Sequence, residues 1–287
     1  MRATTATVLT LVLALLLAAP VQGHDGLREQ ITVLTAQLTR EPSRGDLYLR
    51  RGELQRAAGD LPKARMDLEH ATTLDAALPG LPLAWARLQL DERHPSDAVT
   101  SATRALAAQP SSTAALRLRA EAHVQMHQRD RAVADLTRLI ALAPEPDTVL
   151  ERARLLEEEP AALEQALAGI EDGLQRIGPV VTLQLEAIDL ERRLDRFDAA
   201  LRRIDAITAH APRKEAWLAR RGELLEDARR TADALAAYQA ALDAVDALPA
   251  NTRTTRATGA LVSDLHHRID RLTAGTARPS AGRSPTR

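Results

Sequence analysis

His123 and His127 stand four residues apart, the spacing that puts two imidazoles on one face of a helix where they can share a metal ion. No third ligand is close in sequence, and a structural histidine is the better reading of His123. His266 and His267 are adjacent, so on a helix they point to different sides. His24 precedes Asp25, and as a mature N-terminus it would offer an amine and an imidazole together, a donor set suited to copper. Paired carboxylates such as Glu158 and Glu159 lie in charged helical runs with no pocket signal. The absence of cysteine removes disulfides, thiolate metal sites, cysteine nucleophiles and a lipid-modified N-terminal cysteine. No glycine-rich phosphate loop, H-E-x-x-H or G-x-S-x-G motif occurs. These residues predict no enzyme and no cofactor, with His24, His123 and His127 as the only weak metal candidates.

The elements that would position such groups follow from composition. The chain has 287 residues, 45% hydrophobic and 27% charged, which excludes a wholly disordered polymer and allows a large core. Only Tyr48, Trp85, Phe197, Trp217 and Tyr238 are aromatic, so that core must be built from Leu, Ala, Val and Ile. Ala, Leu, Arg and Glu dominate and are strong helix formers. Runs of β-branched residues with period-two alternation are missing, so no sheet is expected. The net charge of −1 leaves no electrostatic footprint for nucleic acid.

Residues 1–23 have the layout of a secretory signal peptide. Arg2 gives a positive start, Val8 to Ala19 is apolar but for Thr10, and Val21 and Gly23 fit a cleavage site before His24. An uncleaved anchor is the competing account, but the run is shorter than the ~20 apolar residues a bilayer needs. The expected mature chain is exported, periplasmic or secreted, and meets the membrane only through this transient segment.

The pentapeptide Arg50-Arg51-Gly52-Glu53-Leu54 recurs as Arg220-Arg221-Gly222-Glu223-Leu224. The copies are 170 residues apart, five times 34. Twelve residues after each glycine stand Ala64 and Ala234, and the same column holds Ala98, Ala132, Ala166 and Ala200. A period of 34 is that of a helix–turn–helix array. Six frames follow without a gap, 45–78, 79–112, 113–146, 147–180, 181–214 and 215–248. Small residues at positions 8 and 20 let two helices approach closely, and large aliphatics at positions 10 and 24 fill the space beside the crossing. Near position 15 the first helix must stop, with Gly59-Asp60 the clearest turn. Pro110, Pro144, Gly178 and Pro212 stand where one frame hands over to the next. Before the frames, Leu27, Ile31, Leu34 and Leu38 mark a capping helix within 24–44. After them, Leu261, Leu265, Ile269 and Leu272 mark a second cap within 249–273, followed by a tail over 274–287 expected to be disordered.

This pattern resembles the tetratricopeptide repeat family, which places large residues at 4, 7, 11 and 24, small ones at 8, 20 and 27, and proline at 32. The match is good in the frames starting at 45 and 215, where Tyr48, Gly52, Ala64, Leu68 and Ala71, and Gly222, Ala234, Tyr238 and Ala241, stand. It is weak in the frames starting at 147 and 181, where Arg154 and Ile188 occupy position 8 and are expected to pack differently or bend the array. The resemblance implies an all-α, right-handed α-solenoid of about six repeats with a helical cap at each end.

In the family, positions 2, 5, 6, 9, 12 and 13 of the first helix line a concave groove. Carried over, that implies Arg50, Glu53, Arg87, Arg117, Glu121, Glu151, Glu186, Asp189, Arg220, Glu223, Glu226 and Asp227 as its charged lining. The last three frames carry an excess of acid there, counting also Glu158 and Glu159 against Arg152, Arg192, Arg193 and Arg220, which favours a basic partner. The plainer account, a solvated face with charges paired along each helix, weighs more. The family's carboxylate clamp is absent, since Leu49, Glu53, Ala84, Ala114 and Leu118 occupy its positions. The expected function is a non-enzymatic interaction scaffold of the cell envelope that takes a protein or peptide segment in its groove. The alternatives are a periplasmic metal-handling accessory using His24, and a structural subunit of an envelope complex.

Overall fold

The computed structural model describes residues 22–276. The expected signal peptide over 1–23 lies outside them but for its last two residues. The expected tail lies outside them from residue 277 onward. Every regular element among the described residues is helical. The chain divides into two compact units, Met1–Leu142 and Ala143–Arg287.

In the first unit, α1 (Gln22–Arg40) precedes three hairpins: α2 (Gly45–Ala57) with α3 (Leu61–Leu74), α4 (Leu81–Asp91) with α5 (Pro95–Ala108), and α6 (Thr113–Gln125) with α7 (Arg129–Leu142). In the second, α8 (Pro146–Glu157) pairs with α9 (Leu163–Ile177), α10 (Val181–Arg193) with α11 (Phe197–His210), and α12 (Glu215–Asp227) with α13 (Thr231–Asp246). A single turn, α14 (Ala250–Arg253), and a long helix, α15 (Arg256–Thr276), close it. In all six frames the second helix starts at position 17. Each unit is an all-α stack in which hairpins bury the apolar faces that one pair alone leaves open.

The small column explains the close approach. All six alanines at position 20, including Ala132 and Ala166, have no exposed surface. Position 24 beside them is buried throughout, from Leu68 to Tyr238. Leu34 and Leu38 of α1 pack on Leu47 of α2, and Leu265 of α15 enters the cluster of Ile204, Leu225 and Tyr238.

The turn inside each hairpin uses one device. Position 15 is left-handed in five frames: Gly59 (φ 82°), Arg93 (62°), His127 (55°), Asp195 (57°) and Arg229 (57°). In each, the N–H of position 16 donates to the carbonyl of position 11, as in Gln128 to His123 at 2.8 Å and Arg230 to Leu225 at 2.8 Å. This bond and that from position 15 to position 12 satisfy carbonyls the helix end would orphan. Only glycine takes that conformation without strain, so four frames carry a local cost offset by the packing of two helices. The fourth frame differs because Pro160 holds Glu159 extended (φ −119°, ψ 116°), and a 3₁₀ turn, Pro160–Ala162, replaces the motif.

The two middle frames move their small residue. Arg154 is exposed and its neighbour Ala153 is buried in its place. The rest of the room comes from α9, where a methyl added to Gly173 would meet Val149 Cγ1 at 2.8 Å. In the next frame Ile188 is buried at position 8 and Ala187 beside it is the thin residue.

Candidate partner-binding surface

The charges at groove positions mostly engage a neighbouring repeat. In the first unit Arg87 donates to Glu53, and Arg56 to Asp91 at 2.7 Å. Arg50 and Glu53 also border a depression of about 450 Å³ against Glu29, Val33 and Gln37 of α1. Glu121 is exposed and Arg117 half-buried on α6. In the second unit Asp189, Arg220, Glu223 and Asp227 meet in one depression of about 220 Å³ between α10 and α12. Arg192 bridges Asp189 (2.8 Å) and Asp227 (3.3 Å) across it. Glu151 sits half-buried on α8, and Arg152 beside it turns to α9, where only the missing side chain of Gly169 gives its guanidinium room.

Two arginines outside the six frames change the charge of this face. Arg268 of α15 pairs with Glu223 at 3.0 Å and Glu226 at 3.5 Å, and Arg271 pairs with Glu226. Glu226 also accepts the hydroxyl of Tyr238, so it is a packing residue of its own hairpin. Burial, first of all, pushes the Tyr238 phenol up, and the hydrogen bond and charge of Glu226 add to it.

Glu186 has a different environment. Its carboxyl is pushed up to about 7, first by burial, then by a hydrogen bond to Glu157 and the charges of Glu157 and Asp189, with Arg154 opposing. Arg193 forms an ion pair with the Glu157 carboxylate. A carboxyl whose folded value exceeds its ordinary 4.5 favours folding while protonated. That stability is complete below about pH 4.5 and is lost as pH rises through about 7. The thermal midpoint should therefore fall between pH 5 and 8 by the equivalent of ~1–2 kcal/mol, a full shift discounted for partial exposure. Glu186→Gln should remove that fall, and parallel melting curves for the two proteins would refute the assignment.

The histidines do not converge. α6 ends at Gln125, and His127 sits beyond it in the left-handed turn, so the i, i+4 face does not exist. His123 is buried, and its Nδ1 lies 2.9 Å from Gln128 Oε1. Burial, more than any charge, lowers its pKa. The His24 side chain lies outside the described residues. Among the described residues no group of three or more His, Asp or Glu is placed to hold a metal ion.

A charge pair away from the groove positions repeats in two frames. Position 7 is Arg51 and Arg119, and position 23 of the same frames is Asp67 and Asp135. Each arginine grips its aspartate with two bonds, at 2.7 and 2.7 Å and at 2.8 and 2.6 Å. Each also reaches back to a threonine of the preceding helix, Thr35 at 3.1 Å and Thr103 at 3.2 Å.

The tetratricopeptide repeat sequence model matches residues 83–125 and 185–250, one stretch in each unit. These stretches contain Ala98, Ala200 and Ala234 of position 20 and the left-handed turns at Arg93, Asp195 and Arg229. Over these two stretches the chain carries tetratricopeptide repeats. Among solved structures, a chain of the Naa15/Naa10 complex bound to HypK-THB is 17% identical with a TM-score of 0.56; the match covers 86% of this chain and 36% of that one. PilW, a widely conserved type IV pilus biogenesis factor, is 18% identical with a TM-score of 0.50, covering 64% and 86%. A tetratricopeptide repeat protein from Parabacteroides merdae ATCC 43184 is 15% identical with a TM-score of 0.47, covering 86% and 92%. At these identities the likeness is one of fold. No curated protein sequence matches the chain. Tetratricopeptide repeats of this kind are interaction scaffolds, and the family is in general non-enzymatic.

Proposed function

We propose that this protein is a non-enzymatic scaffold of the cell envelope that binds a segment of a protein partner on the first-helix face. The observation that carries the reading is the depression between α10 and α12. There Asp189, Arg220, Glu223 and Asp227 converge on one surface while the position-20 alanines hold the stack behind it. A partner segment with alternating basic and acidic side chains matches this mixed lining. The internal pairing through Arg192 and Arg268 removes much of the acid excess that composition alone suggests. The layout of residues 1–23 supports the envelope location, and mass spectrometry of the native protein should find an N-terminus at His24.

The test is affinity capture from envelope extract with Asp189→Lys, Glu223→Lys and Asp227→Lys combined. Glu226 is spared because it bonds Tyr238. Capture of the main partner should weaken at least tenfold while helicity is unchanged. Undiminished capture would move binding to another face.

A further inference from the structure

The second unit contains a cleft of about 930 Å³ between α9 and α11, floored by α10 and away from the first-helix depression. Its size is that of a ligand pocket. The rim is largely apolar, with Val181, Ile207, Pro212 and Trp217. Half of Val181 is exposed there.

The floor holds one acceptor oxygen that the stack does not satisfy. In this frame position 7 is Ala187, where Arg51 and Arg119 stand elsewhere, and position 23 is Arg203 in place of an aspartate. The arginine has moved to the second helix. It donates to Glu191 Oε1 at 2.8 Å, Glu171 Oε1 at 2.7 Å and Gln184 Oε1 at 3.3 Å. Glu191 Oε2 has no hydrogen-bond partner, although the residue is only 3% exposed. A buried acceptor without a partner is destabilising, so its place in a ligand-sized cleft points to a donor that arrives from outside. Glu171 and Glu191 both bond the half-buried Arg203 guanidinium, and Arg202 and His210 also line the cleft. The end torsion of a glutamate is broad, so the carboxylate can turn to meet a donor entering the cleft.

We propose that this cleft takes a lysine side chain carried on an apolar segment of the protein partner, with the ammonium donating to Glu191 and the flanking aliphatic residues covering Val181, Ile207 and Trp217. A lysine fits because its apolar stem can line the rim while its compact ammonium reaches the floor. The proposal rests on the scaffold function above and names the chemistry of one contact.

Isothermal titration of the protein with acetyl-Leu-Lys-Leu-amide, the same tripeptide with norleucine for lysine, and free 2-phenylethylamine tests it. The lysine tripeptide should bind with 1:1 stoichiometry and at least tenfold more tightly than the norleucine tripeptide or the free amine. Glu191→Gln should abolish that preference. Because Glu191→Gln also touches the Arg203 network, Ala206→Trp provides a second variant. It fills the cleft from an exposed site on α11 and should weaken the lysine tripeptide at least tenfold with helicity unchanged. Equal binding of the two tripeptides, equal binding of the free amine, no binding at all, or full affinity in Ala206→Trp would each overturn the proposal. The titration needs no captured partner. Its failure with capture intact removes only the cleft, and the reverse result removes only the first-helix face.

Discussion

Gly222→Ala is expected to destabilise the protein by ~2–4 kcal/mol, read as a lower urea midpoint by circular dichroism. The added methyl would lie 2.3 Å from Tyr238 Cε1 and 2.5 Å from Cδ1. The ring cannot withdraw. It is completely buried, its hydroxyl is held by Glu226, and the Arg268 guanidinium stands 5.9 Å from its centroid. Gly52 occupies the same place in the first copy of the pentapeptide, yet a methyl there meets Leu68 Cδ2 and the Ala64 carbonyl at 3.2 Å. Gly52→Ala should therefore be near neutral, within ~1 kcal/mol, because the gain in helix propensity offsets a tight contact. Tyr238→Leu should rescue Gly222→Ala, with a favourable coupling of ~1–2 kcal/mol, since alanine at 8 facing leucine at 24 is the arrangement of Ala120 and Leu136. Equal costs for Gly52→Ala and Gly222→Ala would show that the tyrosine does not set the requirement.

The second large effect is expected from the position-7 ion pairs. Asp135 is 3% exposed and Arg119 is its two-pronged partner. That hydrogen bonding, foremost, raises the Arg119 pKa against the cost of burial. Arg119→Ala strands a buried carboxylate and should cost ~2–3 kcal/mol, below the figure for a fully buried pair because the arginine is partly exposed. Replacing both partners, Arg119→Met with Asp135→Leu, should return stability to within ~1 kcal/mol of the starting protein. If single and double replacements cost the same, the pair is not the source. Arg51 and Asp67 should repeat the result, because the geometry is the same to within 0.1 Å for each of the two bonds.

Much of the helical scaffold was legible in the residues themselves. A thin residue at a fixed beat of 34 can only be the crossing of two helices, and all six alanines lie there. The left-handed turns were half legible, since glycine advertises the conformation at Gly59 while Arg93, His127, Asp195 and Arg229 adopt it against their own preference. That is why His123 and His127 read as a pair on a helix that in fact ends between them. The charged face was the least legible part. A list of acids and arginines gives net charge by composition, but Arg268 and Arg271 come from a helix beyond the frames to reach Glu223 and Glu226.

The order of helices and the thin columns were thus determined by the chain alone, because helix propensity and the 34-residue beat are local and repetitive properties. Which charge meets which was decided only by tertiary structure. Those partners lie 32, 34 or 35 residues apart, as in Arg203–Glu171, Arg87–Glu53 and Arg56–Asp91. Such separations become contacts only when neighbouring hairpins stack. The same pentapeptide shows the limit: Gly52 and Gly222 are identical in sequence context, and the side chain that faces each one across the hairpin makes one tolerant and the other not.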